Sequence, residues 1–105
     1  MKIIVHTTKA KTLYGAINSK IEEELKTWEI VNISGNEIVY THTPEQWRGK
    51  ALVYPLAHKD GLELEITWWK DCEPDEATKG YILGRFTEIL MVHFRNLFDY
   101  LEIRG

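Results

Sequence analysis

Residues 61–70 alternate between apolar and other side chains, a pattern that few folds accommodate. One set is Leu62, Leu64, Ile66 and Trp68, and the residues between them are Glu63, Glu65, Thr67 and Trp69. Successive side chains of a β-strand point to opposite faces of a sheet, so this period of two predicts a strand with one buried and one solvated face. The buried face requires an apolar layer packed against it.

The most apolar helical pattern follows that strand, after a short acidic loop. Residues 74–102 carry one stripe at helical spacing, formed by Ile82, Phe86, Ile89, Leu90, His93, Leu97 and Leu101. Asp75 and Glu76 suit the first turn of this helix, where the helix dipole favours negative charge. Gly80 and Gly84 each cost about 1 kcal/mol relative to alanine inside a helix. Either they let the helix pack closely against the sheet, which we favour because both lie near the apolar stripe, or the helix kinks or begins near Gly80.

The other elements come earlier in the chain. Leu13, Ile17, Ile21 and Leu25 recur every four residues, which indicates an amphipathic helix of about four turns. β-Branched runs or alternation predict four more strands, at residues 3–5, 28–33, Glu37–His42 and 50–57.

This order, β-α-β-β-β-β-α, predicts a single α+β domain spanning residues 1–105. Short connections make the last four strands antiparallel neighbours, and the helical crossover after the first strand favours a parallel partner for it. We therefore expect a two-layer sandwich, in which a five-stranded, mostly antiparallel sheet has both helices packed on one face.

The face of the sheet turned away from the helices is the outer face. Alternation places on it an apolar set, Val31, Val39, Thr41, Val53, Thr67 and Trp69. This set is more apolar than expected for a surface that contacts only water. Three explanations remain open. A loop at residues 44–48 folds over this face or its scattered apolar residues are simply tolerated; a second copy or another partner binds it; or a ligand pocket lies between the sheet and the C-terminal helix or its loops.

Composition narrows the class of protein. Apolar residues make up 44% of the chain and the formal net charge is −3. A mild charge with interspersed signs gives no electrostatic case for nucleic acid or an anionic membrane as the main partner. The longest apolar runs are too short to span a bilayer, and Cys72 is the only cysteine, so no disulfide forms within the chain. We expect a cytoplasmic location.

Histidines supply one candidate site. In the predicted topology His6 ends the first strand and His58 ends the fourth, so both fall at one end of the sheet with Asp60 nearby. Such a group suits metal ligation or proton transfer, although strand ends are also common places for solvated histidines. His42 falls at the opposite end, and His93 is expected in the core. Tight histidine spacings typical of metal sites are absent, so no metal or cofactor is predicted.

Loop residues supply a second candidate site, for a protein partner. Trp47 and Arg48 lie between Pro44 and Gly49, and tryptophan and arginine are enriched at binding hot spots. Three further residues of this predicted site are Trp69, Asp71 and Glu73.

No sequence motif for catalysis is present, neither a nucleophile elbow nor a glycine-rich phosphate or dinucleotide loop. The sequence therefore favours a small protein-binding module of the inhibitor, immunity or adaptor type. Its partner is expected to be another protein or a second copy bound through the outer face. The alternative is a small-ligand-binding protein or enzyme that uses His6, His58 and Asp60.

Overall fold

Six strands and two α-helices form among the described residues. The computed structural model describes residues 1–25, 27–35, 37–42, 52–68 and 73–105. The strands are β1 (Lys2–His6), β2 (Trp28–Ser34), β3 (Glu37–His42), β4 (Leu52–His58), β5 (Gly61–Thr67) and β6 (Tyr100–Arg104), and the helices are α1 (Ala10–Glu23) and α2 (Glu76–His93).

The fold is α+β, with one antiparallel sheet in the order β2-β3-β4-β5-β1-β6. The prediction of five strands was wrong, because the chain returns after α2 to form β6. The prediction of a parallel partner for β1 was also wrong, since β1 pairs antiparallel with both β5 and β6. The antiparallel order makes β1 and β2 point the same way, as a helical crossover favours, but three strands lie between them.

The first helix forms as its apolar spacing predicts. Leu13, Ile17 and Ile21 are its buried residues, and they join the core beneath the sheet. The buried residues of α2 belong to the same core cluster as these side chains. Both helices therefore cover one face of the sheet.

The second helix starts with a side-chain cap. Asp75 is its N-cap, and the Asp75 carboxylate accepts the Thr78 backbone N–H at 2.8 Å. The helix runs unbroken through Gly80 and Gly84, but both are exposed, and a Cβ at either would meet no heavy atom within 4 Å. The expected close packing of these glycines on the sheet was therefore wrong.

The same helix ends earlier than predicted. It stops at His93, a 3₁₀ turn follows at Arg95–Leu97, and the predicted last turns are replaced by β6. His93 itself is exposed rather than part of the core. Within the part of the chain described, neither helix combines the length and the apolar character needed to cross a lipid bilayer.

Strand register decides which side chains face the helices. Leu62, Leu64 and Ile66 lie in the core, as their alternation predicts. Val53 was expected on the outer face, but it lies opposite Ile66 and belongs to the core. The outer-face positions of β4 are instead Leu52, Tyr54 and Leu56, whose side chains point away from the helices.

The outer face is partly closed within the single chain. Ile4 and Val39 on this face have no exposed surface, and Leu52 is 3% exposed. Leu56 of β4, in contrast, is 45% exposed. Apolar outer-face positions are thus buried without a second molecule, which weakens the argument for a partner on this face. Trp69 and the predicted covering loop at residues 44–48 lie outside the described residues.

Candidate functional site

Four residues on adjacent strands form one row across the end of the outer face. His58 of β4 lies opposite Gly61 of β5, Gly61 lies opposite His6 of β1, and His6 lies opposite Tyr100 of β6. Directly opposed residues of antiparallel strands share a face, so the two imidazoles stand on the same side of the sheet. Two interstrand spacings separate their backbones by about 10 Å. Gly61 itself is buried, and it lines one cleft together with both imidazoles.

The backbone requires glycine at position 61. It follows the two-residue turn Lys59–Asp60 and has a φ of 150°, a conformation that favours glycine. A Cβ at this position would lie 2.1 Å from the Val5 carbonyl oxygen. The sequence Asp60-Gly61 thus closes the hairpin and leaves β1 close enough to bring His6 alongside.

The turn also sets the tautomer of His58. Its Nδ1 accepts the backbone N–H of Asp60 at 3.1 Å, and the Asp60 carboxylate lies 4.0 Å from the same nitrogen. When Nδ1 of a neutral imidazole accepts a hydrogen bond, the proton resides on Nε2. His58 in its neutral form therefore offers an Nε2–H donor.

His6 has two neighbours on β6. Its ring stacks on Tyr100, with centroids 4.1 Å apart, and its Nε2 lies 3.0 Å from a Glu102 carboxylate oxygen. The hydrogen bond from His6, followed by that from Arg104, holds the pKa of Glu102 below its usual value. A charged Glu102 accepts the proton of Nε2, so in the neutral His6 ring Nδ1 is the acceptor. The two imidazoles thus have opposite hydrogen-bonding character.

These residues line a cleft of about 530 Å³, a size typical of small-ligand sites. Its lining residues are His6, Thr7, Thr8, Ala10, His58, Lys59, Asp60, Gly61, Asp99 and Tyr100. Asp60 and Asp99 contribute negative charges and Lys59 one positive charge, so with neutral imidazoles the lining carries a net negative charge.

Hydrogen bonds to backbone carbonyl groups hold together the three segments around the cleft, which are the end of β1, the turn between β4 and β5, and the chain that leads into β6. The Asp99 N–H donates to the His6 carbonyl at 2.8 Å, and the Thr7 N–H donates to the Asp60 carbonyl at 3.0 Å. The Thr7 hydroxyl donates to the Leu97 carbonyl at 2.6 Å. Both aspartate side chains are thereby carried on backbone that is tied to β1.

The sequence prediction found three of these residues and missed others. His6, His58 and Asp60 come together at one sheet end, whereas Asp99 and Tyr100 were assigned to a helix. A period of two over Tyr100–Arg104 was the available signal, with Tyr100, Glu102 and Arg104 alternating with Leu101 and Ile103.

The predicted protein-binding residues are mostly outside the described part of the chain. Trp47, Arg48, Trp69 and Asp71 all lie there. Glu73 is described, and its carboxylate accepts a hydrogen bond from Lys79 at 3.0 Å. Protein binding through this set therefore stays a prediction.

A second cleft of about 400 Å³ lies at the other end of the sheet, beside α2. It contains Arg85 and Glu88, whose charged groups are 3.7 Å apart, together with His42 and His93. Burial and the positive charge of Arg85 lower the pKa of His42. Because Arg85 and Glu88 already pair with each other, their charges are less available to a ligand than the charged groups of the first cleft.

Among the described residues, no group of three or more histidine, cysteine, aspartate or glutamate side chains is arranged to hold a metal ion. Comparison of the chain with protein-family models, curated proteins and solved structures finds no match.

Proposed function

We propose that the chain binds a small, cationic, hydroxyl-bearing molecule in the cleft between His6 and His58. The observation that carries this proposal is the His58–Gly61–His6 row, which places two imidazoles on the lining of one cleft. This is the small-ligand function that the sequence suggested as an alternative to protein binding.

Charge favours a cation in this cleft. Asp60 and Asp99 both line it, and only Lys59 opposes them. An ammonium group has three donors and no acceptor, which suits two carboxylates and the acceptor nitrogen of His6. Close charges in a partly enclosed site interact more strongly than in bulk water.

Hydrogen bonding favours a hydroxyl on the same ligand. The Nε2–H of neutral His58 requires an acceptor, and an ammonium group supplies none. A hydroxyl oxygen can accept this proton while its own hydrogen is donated elsewhere. A short amino alcohol therefore matches the donors and acceptors of the cleft better than a simple amine or a carboxylic acid does.

Calorimetric titration tests this proposal, with ethanolamine, ethylamine and sodium acetate as probes at low ionic strength, where charge effects are least screened. We expect ethanolamine to bind, ethylamine to bind more weakly, and acetate not to bind. Asp60→Asn and Asp99→Asn should each weaken ethanolamine binding by about fivefold, the equivalent of about 1 kcal/mol.

We expect both asparagine variants to retain the fold, because the hydrogen bonds of Asp60 and Asp99 described above use their backbone N–H and C=O groups rather than their carboxylates. Glu22→Gln is the matched control, since Glu22 is exposed on α1 and does not line the cleft. Equal binding of acetate and ethanolamine, or unchanged affinity in both asparagine variants, contradicts the proposal.

A further inference from the structure

The last strand, β6, lies at one edge of the described sheet. One side of β6 pairs with β1, and no strand follows it on the other side in the described chain. Ile103 of this strand is 51% exposed. An edge strand with an exposed apolar residue and open backbone groups is a template for pairing with another strand.

The register shows which backbone groups of β6 point to the open edge. The Ile66 N–H bonds the Met1 carbonyl, so alternate residues of β1, Ile3 and Val5, also direct their backbone groups toward β5. The intervening residues of β1 direct theirs toward β6. Their partners on β6 are Tyr100, Glu102 and Arg104. Leu101 and Ile103 therefore direct their N–H and C=O groups outward.

We propose that a second copy of this chain pairs antiparallel with β6, with Ile103 on the two-fold axis. In this register Ile103 lies opposite Ile103 of the second copy, and Leu101 lies opposite Gly105. These are the positions whose backbone groups point outward, so both strands can form the antiparallel ladder without rearranging. The result is a sheet that continues from one protomer into the next.

The charged side chains of β6 favour the register centred on Ile103 over the register centred on Glu102. Glu102 lies opposite Arg104 of the second copy, and symmetry repeats this pair on the other side of the axis. Opposite charges in directly opposed positions stabilise a strand pair, and like charges destabilise it. A register centred on Glu102 would place two carboxylates opposite each other. The self-complementary charges of β6 thus fit a second copy in one alignment.

Sedimentation velocity from micromolar to millimolar concentration tests the dimer. We expect the wild-type sedimentation coefficient to rise with concentration, and Ile103→Pro to abolish that rise. Proline removes an N–H that points outward, so it breaks no hydrogen bond to β1. Far-UV circular dichroism and thermal melting at low concentration verify that this variant is folded.

Arg104→Glu tests the register through charge. Within its own chain Arg104 lies opposite Lys2 and hydrogen-bonds Glu102, so glutamate at this position gains a favourable cross-strand pair and loses the contact with Glu102. In the dimer it would lie opposite Glu102 of the second copy, and we expect dimerisation to be lost. Thermal melting at low concentration verifies that this variant is folded. Arg85→Glu, which makes the same charge change on α2, should dimerise as the wild type does.

Cross-linking tests the two-fold axis directly, in a Cys72→Ser background. Ile103→Cys should form a disulfide dimer under mild oxidation, because opposed Cα atoms about 5.5 Å apart lie within disulfide range. Arg104→Cys should not, since position 104 faces position 102 of the other copy. A wild-type monomer at every concentration overturns the proposal, as does a dimer that survives both Ile103→Pro and Arg104→Glu.

Discussion

The imidazole of His6 and the phenol ring of Tyr100 are stacked, with 11° between their planes. Directly opposed positions on β1 and β6 bring them together, and 57% of Tyr100 remains exposed. The stack supports one side of the cleft and orients the ring whose nitrogen hydrogen-bonds Glu102.

Replacing Tyr100 by leucine should weaken ethanolamine binding about fivefold, because a stacked aromatic pair contributes about 1 kcal/mol to holding the ring. Thermal stability should change little, since leucine keeps an apolar side chain on an exposed position. Tyr81→Leu is the matched control on α2, where Tyr81 is 62% exposed. Equal loss of binding in both variants would show that the stack has no specific role.

Replacing Gly84 by alanine should stabilise the protein by about 1 kcal/mol. The residue lies within α2, where alanine is the better helix former, and the added Cβ meets no neighbouring atom. Chemical denaturation measures the change. Destabilisation of similar size would instead mean that Gly84 is closely packed, as the sequence alone suggested.

His42 should make folding stability depend on pH in mildly acidic solution. Its pKa is lower in the folded protein, first because the ring is buried and second because Arg85 is near. The unfolded chain therefore binds a proton that the folded chain does not, and stability falls as pH drops below the unfolded value of about 6.5.

His42→Phe keeps an aromatic ring against Trp28, whose centroid lies 5.0 Å away, but removes the titration. Urea unfolding at a series of pH values measures the change. Between the unfolded pKa of about 6.5 and the folded pKa of His42, the free energy of unfolding should vary less with pH in the variant than in the wild type. Profiles that are parallel over this range would contradict the assignment.

Glu102 should also make folding stability depend on pH, but in more acidic solution than His42 and as an acidic rather than a basic group. Its pKa is lowered by the hydrogen bond with His6 and then by Arg104, so its contribution to stability is present above the unfolded value of about 4.3. That contribution is lost as pH falls through the folded pKa. The melting temperatures of wild type and Glu102→Gln should therefore converge in acid, and a constant difference would contradict this.

Local periodicity predicted much of the fold. The alternation around Leu62, Leu64 and Ile66 identified β5 and its buried face, and the four-residue spacing of Leu13 and Ile17 identified α1. These patterns succeed because each element buries one side only, so the spacing of its apolar residues follows the period of a strand or of a helix.

The last strand was missed because two periodicities compete there. Leu97 and Leu101 continue the spacing of the α2 stripe, whereas Leu101 and Ile103 alternate as in a strand. Spacing alone does not show that the helix ends at His93, because the pairing of β6 with β1 is a contact across nearly the whole chain. Since Asp99 and Tyr100 belong to that segment, the acidic and aromatic side of the cleft was missed with it.

The face assignment of β4 failed for a related reason. Residues 52–57 are apolar at almost every position, so alternation alone does not decide which side is buried. Pairing with β5 decides it, because Val53 lies opposite the buried Ile66.

A ligand bound in the cleft should contact both His6 and His58 at once. Nuclear Overhauser effects between the methylene protons of ethanolamine and the Cε1 protons of the imidazoles test it most directly. We expect transferred effects from the same probe to both His6 and His58, and none to His42 or His93. Effects to neither of the two cleft histidines at saturating ethanolamine, or to His42 and His93 instead, would contradict it.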